Sequence, residues 1–232
     1  MNYQTYAIVI MTYGIRLNYV NTYLYIMTEE KNEILKEIKR SFRSMMNGVA
    51  SHSMREKGVE YKINWGVNLV NLRTLASKYD KDFELAIALW KENIRECKIL
   101  ATMLMPADKM DAEIADIWME QVVSQEMAEM LALNLLQYVD YAPEIAYKWM
   151  ASEKPLYQLC GFSIVGRLFS NGQEPNERGI NEYVDQAITA LQGTNVGVAH
   201  AAMNSLVRFA DLGIVYERIA KHATKAAGLD IL

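Results

Sequence analysis

A pattern of one short and one longer helix occurs three times in the chain, and it restricts the fold more than any other feature of the sequence. The short segments, 84–90, 113–118 and 144–149, each end in Trp, and the steps between the three tryptophans are 28 and 31 residues. A longer apolar segment follows each, and 181–191 with 196–212 repeats the pattern without Trp. Because one such pair buries too little apolar surface to be stable alone, the pairs are expected to stack into a solenoid.

Composition and periodicity favour the same all-α architecture. The 232 residues include only 12 Gly and 4 Pro, too few for a fold of many short strands and turns. Apolar residues recur at helical intervals, as in Ile34, Ile38 and Phe42, and no alternating strand pattern follows residue 27. We therefore predict an α-α superhelix, with the short helices on its convex side and the longer ones on its concave side. Residues 48–68 are predicted to form a loop.

The first 26 residues differ from the rest of the chain. They hold six of the fourteen tyrosines and a single charge, Arg16, which is too polar a composition for a membrane span. Thr28, followed by two glutamates, is a typical helix N-cap. We predict a single repeat domain over 27–232, preceded by a poorly ordered extension over 1–26. The alternative is that the extension forms an extra ordered helix or strand.

Few residues indicate redox or metal chemistry. The two cysteines, Cys97 and Cys160, imply no disulfide framework and favour a cytoplasmic protein. Both lie on apolar helix faces, which predicts buried thiols. The three histidines are dispersed and have no metal-ligand spacing, so neither a metal nor a cofactor is predicted.

Three segments resemble the DNA alkylation repair family, the HEAT-like-repeat alkylpurine DNA glycosylases. They are the Leu-Trp at 89–90 with Arg-Glu at 95–96, the Lys-Trp-Met-Ala-Ser run at 148–152, and the Gly- and Leu-Arg-containing stretch at 58–76. Their order and spacing hold from about residue 41 to residue 210. The resemblance implies a HEAT-like repeat solenoid and a protein of DNA repair.

The resemblance also implies which residues an active member would need. Active members use an Asp to stabilise the cationic sugar, two Trp to hold the lesion nucleotide, and an Arg near the DNA backbone. Matching the segments places the first Trp on Trp118, the Asp on Val122, the Arg on Leu159 and the second Trp on Asn204. Only one of the four residue types is retained, and no catalytic residue is assigned.

The charge distribution weakens, without excluding, a nucleic-acid partner. The net charge is −4, and residues 94–175 carry six Lys or Arg against twelve Asp or Glu. A surface that cradles DNA is expected to be basic, since binding releases counterions from phosphates. The partner on the concave face is therefore either a nucleic acid or a protein.

A candidate binding site follows from the polar residues around the second Trp. We predict a groove beside a partly exposed Trp118, bordered by Glu126 and Arg95, whereas Trp90 and Trp149 are predicted to be packing residues. The alternative is that Trp118 also belongs to the core. The Arg95–Glu96 pair is predicted to be a structural ion pair or an inter-repeat contact, and the alternative is a phosphate clamp.

Two functions remain open at this point. The first is a non-catalytic or altered binding scaffold, because a carboxylate is missing at Val122. The second is a working glycosylase in which Glu120 or Glu126 replaces the lost Asp. An unrelated small-molecule enzyme has no supporting site in the sequence.

Overall fold

The computed structural model describes residues 29–229 and residue 231, and these residues are helical without any strand. An isolated parallel bridge joins Ile63 to Ile94. The helices are α1 (Glu29–Ser44), α2 (Gly48–Glu56), α3 (Leu69–Ala76), α4 (Phe83–Lys91), α5 (Arg95–Leu104), α6 (Ala112–Glu120), α7 (Gln125–Asn134), α8 (Ala142–Met150), α9 (Pro155–Ser170), α10 (Glu177–Gln192), α11 (Val196–Ala210) and α12 (Ile214–Ala226). The all-α prediction is confirmed. The predicted extension over 1–26 and its Thr28 cap lie outside the described residues.

Local sequence explains where most of these helices begin. Seven start after an Asn, Asp or Ser whose side-chain oxygen accepts a hydrogen bond from the N–H three residues later; these caps are Asn47, Asn68, Asp82, Asp111, Ser124, Asn176 and Asn195. Such a bond satisfies one of the N–H groups left unpaired at a helix start. Pro143 is the second residue of α8 and Pro155 the first of α9, so both lie at helix starts, as predicted.

Helix pairs stack as the repeat predicted. Within a pair, α4 packs on α5, α8 on α9 and α10 on α11. Between pairs, the second helices α5, α7, α9 and α11 pack on one another in succession and form a continuous row. One hydrophobic cluster runs through this row, from Ile38 to Ala220, and it includes both cysteines. The assignment of convex and concave sides remains a prediction.

The prediction of a loop over 48–68 was wrong in its first half, where α2 forms. Only Ser51 of this helix is buried, so no apolar periodicity marks it in the sequence. Its N-cap, Asn47, lies against Gly66, which has φ +68 and would place a Cβ only 2.2 Å from the Asn47 carbonyl oxygen. A glycine is therefore required at this contact.

None of the helices among the described residues has the length and hydrophobicity to cross a bilayer.

Candidate functional site

The structure brings Arg95 and Glu126 together, at the first turns of α5 and α7. Arg95 Nε donates to Glu126 Oε2 at 2.7 Å, and Arg95 Nη2 donates to Glu126 Oε1 at 2.5 Å. The Arg95 side chain is only 3% exposed, whereas that of Glu126 is 37% exposed. Two parallel bonds of this kind fix both side chains, so the pair joins two consecutive second helices.

Arg95 also holds the loop that precedes α3. Its Nη1 donates to Glu96 Oε1 and to the Val67 carbonyl oxygen, both at 3.0 Å. The fully buried Glu96 carboxylate in turn accepts from the backbone N–H groups of Trp65 and Val67. The predicted structural ion pair between Arg95 and Glu96 is confirmed. Because Arg95 is buried and its guanidinium is surrounded by these acceptors, it is not placed to clamp a phosphate.

Trp118 belongs to the core, and the expectation of a partly exposed ring was wrong. The residue is 2% exposed. Its ring stacks on that of Trp90, with centroids 4.1 Å apart and an interplanar angle of 2°. The two tryptophans therefore fill the space between consecutive helix pairs, as was predicted for Trp90 and Trp149.

A buried lysine lies against this stacked pair. Lys98 Nζ is 4.3 Å from the centroid of the Trp90 ring and donates to the Trp90 carbonyl oxygen at 2.9 Å. It also donates to Gln121 Oε1 at 3.4 Å. Burial lowers the pKa of the Lys98 ammonium from its ordinary 10.5 to about 8. The charged form of this side chain is thus disfavoured in the folded protein.

Lys98 is expected to make stability rise with pH in the mildly alkaline range. Below pH 8 the lysine is charged in both states and the full desolvation penalty applies, whereas between pH 8 and 10.5 the unfolded chain binds more protons. The free energy of unfolding should therefore increase by about 2 kcal/mol between pH 7.5 and 9.5. Urea unfolding of the wild type and of Lys98→Met measures this increase, which the variant should lack. Equal pH dependence in the two proteins would refute the prediction.

A groove follows the row of second helices further along the chain, between α7, α9 and α11. It encloses about 480 Å³. Its polar lining consists of Glu129, Ser163, Arg167, Ser170, His200, Asn204, Ser205 and Arg208. We call this the α7–α9–α11 groove. A second cavity of about 480 Å³ lies between α8, α9, α10 and the start of α11, and its lining includes Asp185 but no Lys or Arg.

The α7–α9–α11 groove holds three charged side chains, of which only Arg208 has an ion-pair partner in the described chain. The guanidinium of Arg167 is exposed and forms no ion pair with a described residue. Arg208 lies 3.5 Å from Asp211, and both of these side chains are more than half exposed. The Glu129 carboxylate forms no described ion pair either, and it accepts a hydrogen bond from Gln125 Nε2 at 2.8 Å. Two cations and one carboxylate therefore face the solvent of this groove.

The four positions carried over by the resemblance do not converge on one site. Asn204 lines the α7–α9–α11 groove, and Leu159 is buried beside Gly197 of α11. Trp118 and Val122 lie in the core and do not line the groove. A Cβ built on Gly197 would lie 3.5 Å from Leu159 Cδ1 and 3.1 Å from Gln125 Oε1. Gln125 of α7 and Leu159 of α9 thus meet α11 at Gly197, and Glu129 lines the groove one turn later.

Sequence reasoning missed this groove because its residues come from three helices about 35 residues apart. One signal was present: Gln125 and Glu129 stand four residues apart, which places them on one face of α7. Within the described chain, no three His, Cys, Asp or Glu side chains come together as possible metal ligands.

Comparison with protein families identifies a family for this chain. The model described as DNA alkylation repair enzyme matches residues 34–189, which is more than half of the chain. No curated protein matches the chain significantly.

Comparison with solved structures supports the fold. The chain superposes on a member of a new family of proteins related to the HEAT-like repeat DNA glycosylases, with affinity for branched DNA structures. The TM-score is 0.75, the alignment covers 83% of each chain, and the sequences are 18% identical. At this identity the likeness concerns the HEAT-like repeat fold alone.

Proposed function

This chain belongs to the DNA alkylation repair enzyme family, and from that premise we propose that it is a non-catalytic member that binds branched DNA in the α7–α9–α11 groove. The observation that carries the proposal is the lining of the groove. Exposed donors from α9 and α11 face it. Among the residues that line it, the one Phe, Tyr or Trp ring is that of the buried Phe162, so no exposed ring of these types in the lining can hold a flipped base.

The absence of catalysis is supported by the residues at the positions that active members use. Leu159 replaces the Arg near the DNA backbone, and Asn204 replaces the second Trp. Trp118, at the position of the first Trp, is buried against Trp90, and the buried Val122 stands in place of the Asp. A cationic base would then lack both aromatic faces that attract it.

Affinity for nucleic acid is supported by the donors of the groove. Arg167 and Arg208 come from neighbouring helices, and serine, histidine and asparagine side chains lie around them. Arginine and small polar donors of this kind bind phosphate oxygens without reading sequence. The structure that the chain superposes on is described as having affinity for branched DNA. This favours a branched nucleic acid over a protein partner.

A binding titration with Arg167→Ala tests the proposal. We expect the wild type to bind a three-way DNA junction with an affinity that falls as salt rises, since phosphate contacts release counterions. Arg167→Ala should weaken binding by roughly tenfold and lower the slope of log K against log salt by about one. Arg178→Ala, on α10 and outside the groove, is the matched control. Absence of junction binding by the wild type would overturn the proposal.

One observation favours a second candidate, a glycosylase for N-alkylated purines. Glu126 is held by Arg95, but Glu129 offers an unneutralised carboxylate in the groove. A carboxylate in such a place opposes developing positive charge. Release of 7-methylguanine or 3-methyladenine from methylated duplex DNA by the wild type, lost in Glu129→Gln, would establish this candidate. The proposal expects no release above background.

A further inference from the structure

We propose that Glu129 makes the α7–α9–α11 groove select branched DNA over uninterrupted duplex. This inference rests on the proposed function, and it assigns a specificity-determining role to one residue of the same groove. Glu129 repels the phosphates of a continuous duplex and accepts hydrogen bonds from a base that a branch point leaves unpaired.

The position of the carboxylate is well defined. Glu129 is half-buried on α7, and the amide of Gln125, one turn earlier, holds its Oε1 at 2.8 Å. It has no cationic partner among the described residues, unlike Glu126 on the same helix, which Arg95 binds through two bonds. The charge of Glu129 is therefore not neutralised by an ion pair with a described residue.

The negative charge of Glu129 opposes the binding of a continuous duplex in this groove. Duplex DNA carries one phosphate charge for every 1.7 Å or so of its axis. A duplex laid against Arg167 and Arg208 would bring other phosphates close to Glu129, because all three side chains line one groove. Like charges roughly 10 Å apart near a protein surface weaken binding by about tenfold.

A branch point offers a different chemistry to the same carboxylate. Nucleotides at a junction are unpaired or unstacked, and cytosine, adenine and guanine then expose amino groups. A carboxylate accepts hydrogen bonds from such groups, as from N4 of cytosine. Arg167 and Arg208 can meanwhile bind the phosphates that flank the unpaired base. The groove thus combines donors for phosphates with an acceptor for a base edge.

The test compares two DNAs of the same arm sequence, a three-way junction with unpaired cytosines at its centre and a linear duplex, at one fixed salt concentration. Glu129→Gln keeps the size of the side chain and removes its charge. We expect it to bind duplex about tenfold more tightly than the wild type does, with junction affinity changed by less than about threefold. The preference for the junction should therefore largely disappear. Glu153→Gln, an exposed carboxylate between α8 and α9, should leave both affinities unchanged.

The other outcomes are distinguishable. An unchanged ratio of junction to duplex affinity in Glu129→Gln, or equal binding of both DNAs by the wild type, would overturn the selectivity of Glu129. Binding of neither DNA by the wild type would refute the proposed function itself. Equal melting temperatures of Glu129→Gln and the wild type, with both affinities weakened in Arg167→Ala, show that the groove is intact and in use.

Discussion

Replacing Arg95 with Ala is expected to lower the free energy of unfolding by about 3–5 kcal/mol, because it removes one partner from a buried ionic network. Glu96 would remain fully buried without its cation, and Glu126 would lose both of its bonds to α5. The Val67 carbonyl oxygen would lose its donor as well. For a chain of this size the melting temperature should fall by roughly 10 °C. Urea unfolding and thermal melting measure the two quantities.

Arg208→Ala is the control for this prediction. The Arg208 side chain is 57% exposed and forms a single ion pair, with Asp211 at 3.5 Å. Exposed pairs of this kind contribute less than about 1 kcal/mol. A loss in Arg95→Ala no larger than that in Arg208→Ala would show that the buried network contributes little to stability. Arg95→Met with Glu96→Gln removes both charges and is expected to recover part of the loss.

Truncating the repeated tryptophans is expected to destabilise the protein equally at all three positions. Trp90, Trp118 and Trp149 are each at most 3% exposed, and replacing a buried aromatic residue with Ala costs about 3–5 kcal/mol. Trp90 and Trp118 stack face to face at 4.1 Å. The double variant Trp90→Ala with Trp118→Ala should therefore lose about 1 kcal/mol less than the sum of the single losses. Urea unfolding of the single and double variants gives this coupling energy.

The pair Trp90 and Trp149 provides the control for the coupling. Trp149 instead contacts the ring of Tyr157 edge-on at 5.6 Å, and its Nε1 donates to Asp116. Its loss should add to that of Trp90 without coupling. A small loss of stability in Trp118→Ala, together with a loss of DNA binding, would contradict the assignment of Trp118 to the core and restore it as a site residue.

Elements with a strong apolar period could be predicted from the sequence, and elements without one could not. Helices α4 to α11 were expected because their apolar faces recur every three or four residues. Helix α2 was missed, since it buries only Ser51 and depends on its Asn47 cap and on the close approach of Gly66. Apolar periodicity indicates that one face of a helix is buried. It therefore cannot predict a helix that is stabilised mainly at its ends.

The sequence also could not predict where the polar residues lie in the folded chain. The sequence predicted an ion pair between Arg95 and Glu96 and assigned Arg95 and Glu126 to a groove, whereas all three side chains form one ion-pair network around the buried Arg95. Trp118 was assigned to that groove because polar residues follow it in the sequence. In the structure its ring stacks on Trp90 in the core. The neighbours of a residue along the chain do not determine which side of the helix it occupies relative to the next repeat.

By itself the sequence determined the helix pairs, their repeat and their stacking, because these follow from local periodicity and from the need of each pair to cover its apolar face. Only the tertiary structure decided which polar residues share a site. Glu129, Arg167, His200, Asn204 and Arg208 lie on three separate helices, and the packing of α7, α9 and α11 brings them to one groove. That packing depends on how closely the helices approach, which is set by side-chain volumes across repeats and not by the pattern within any one helix.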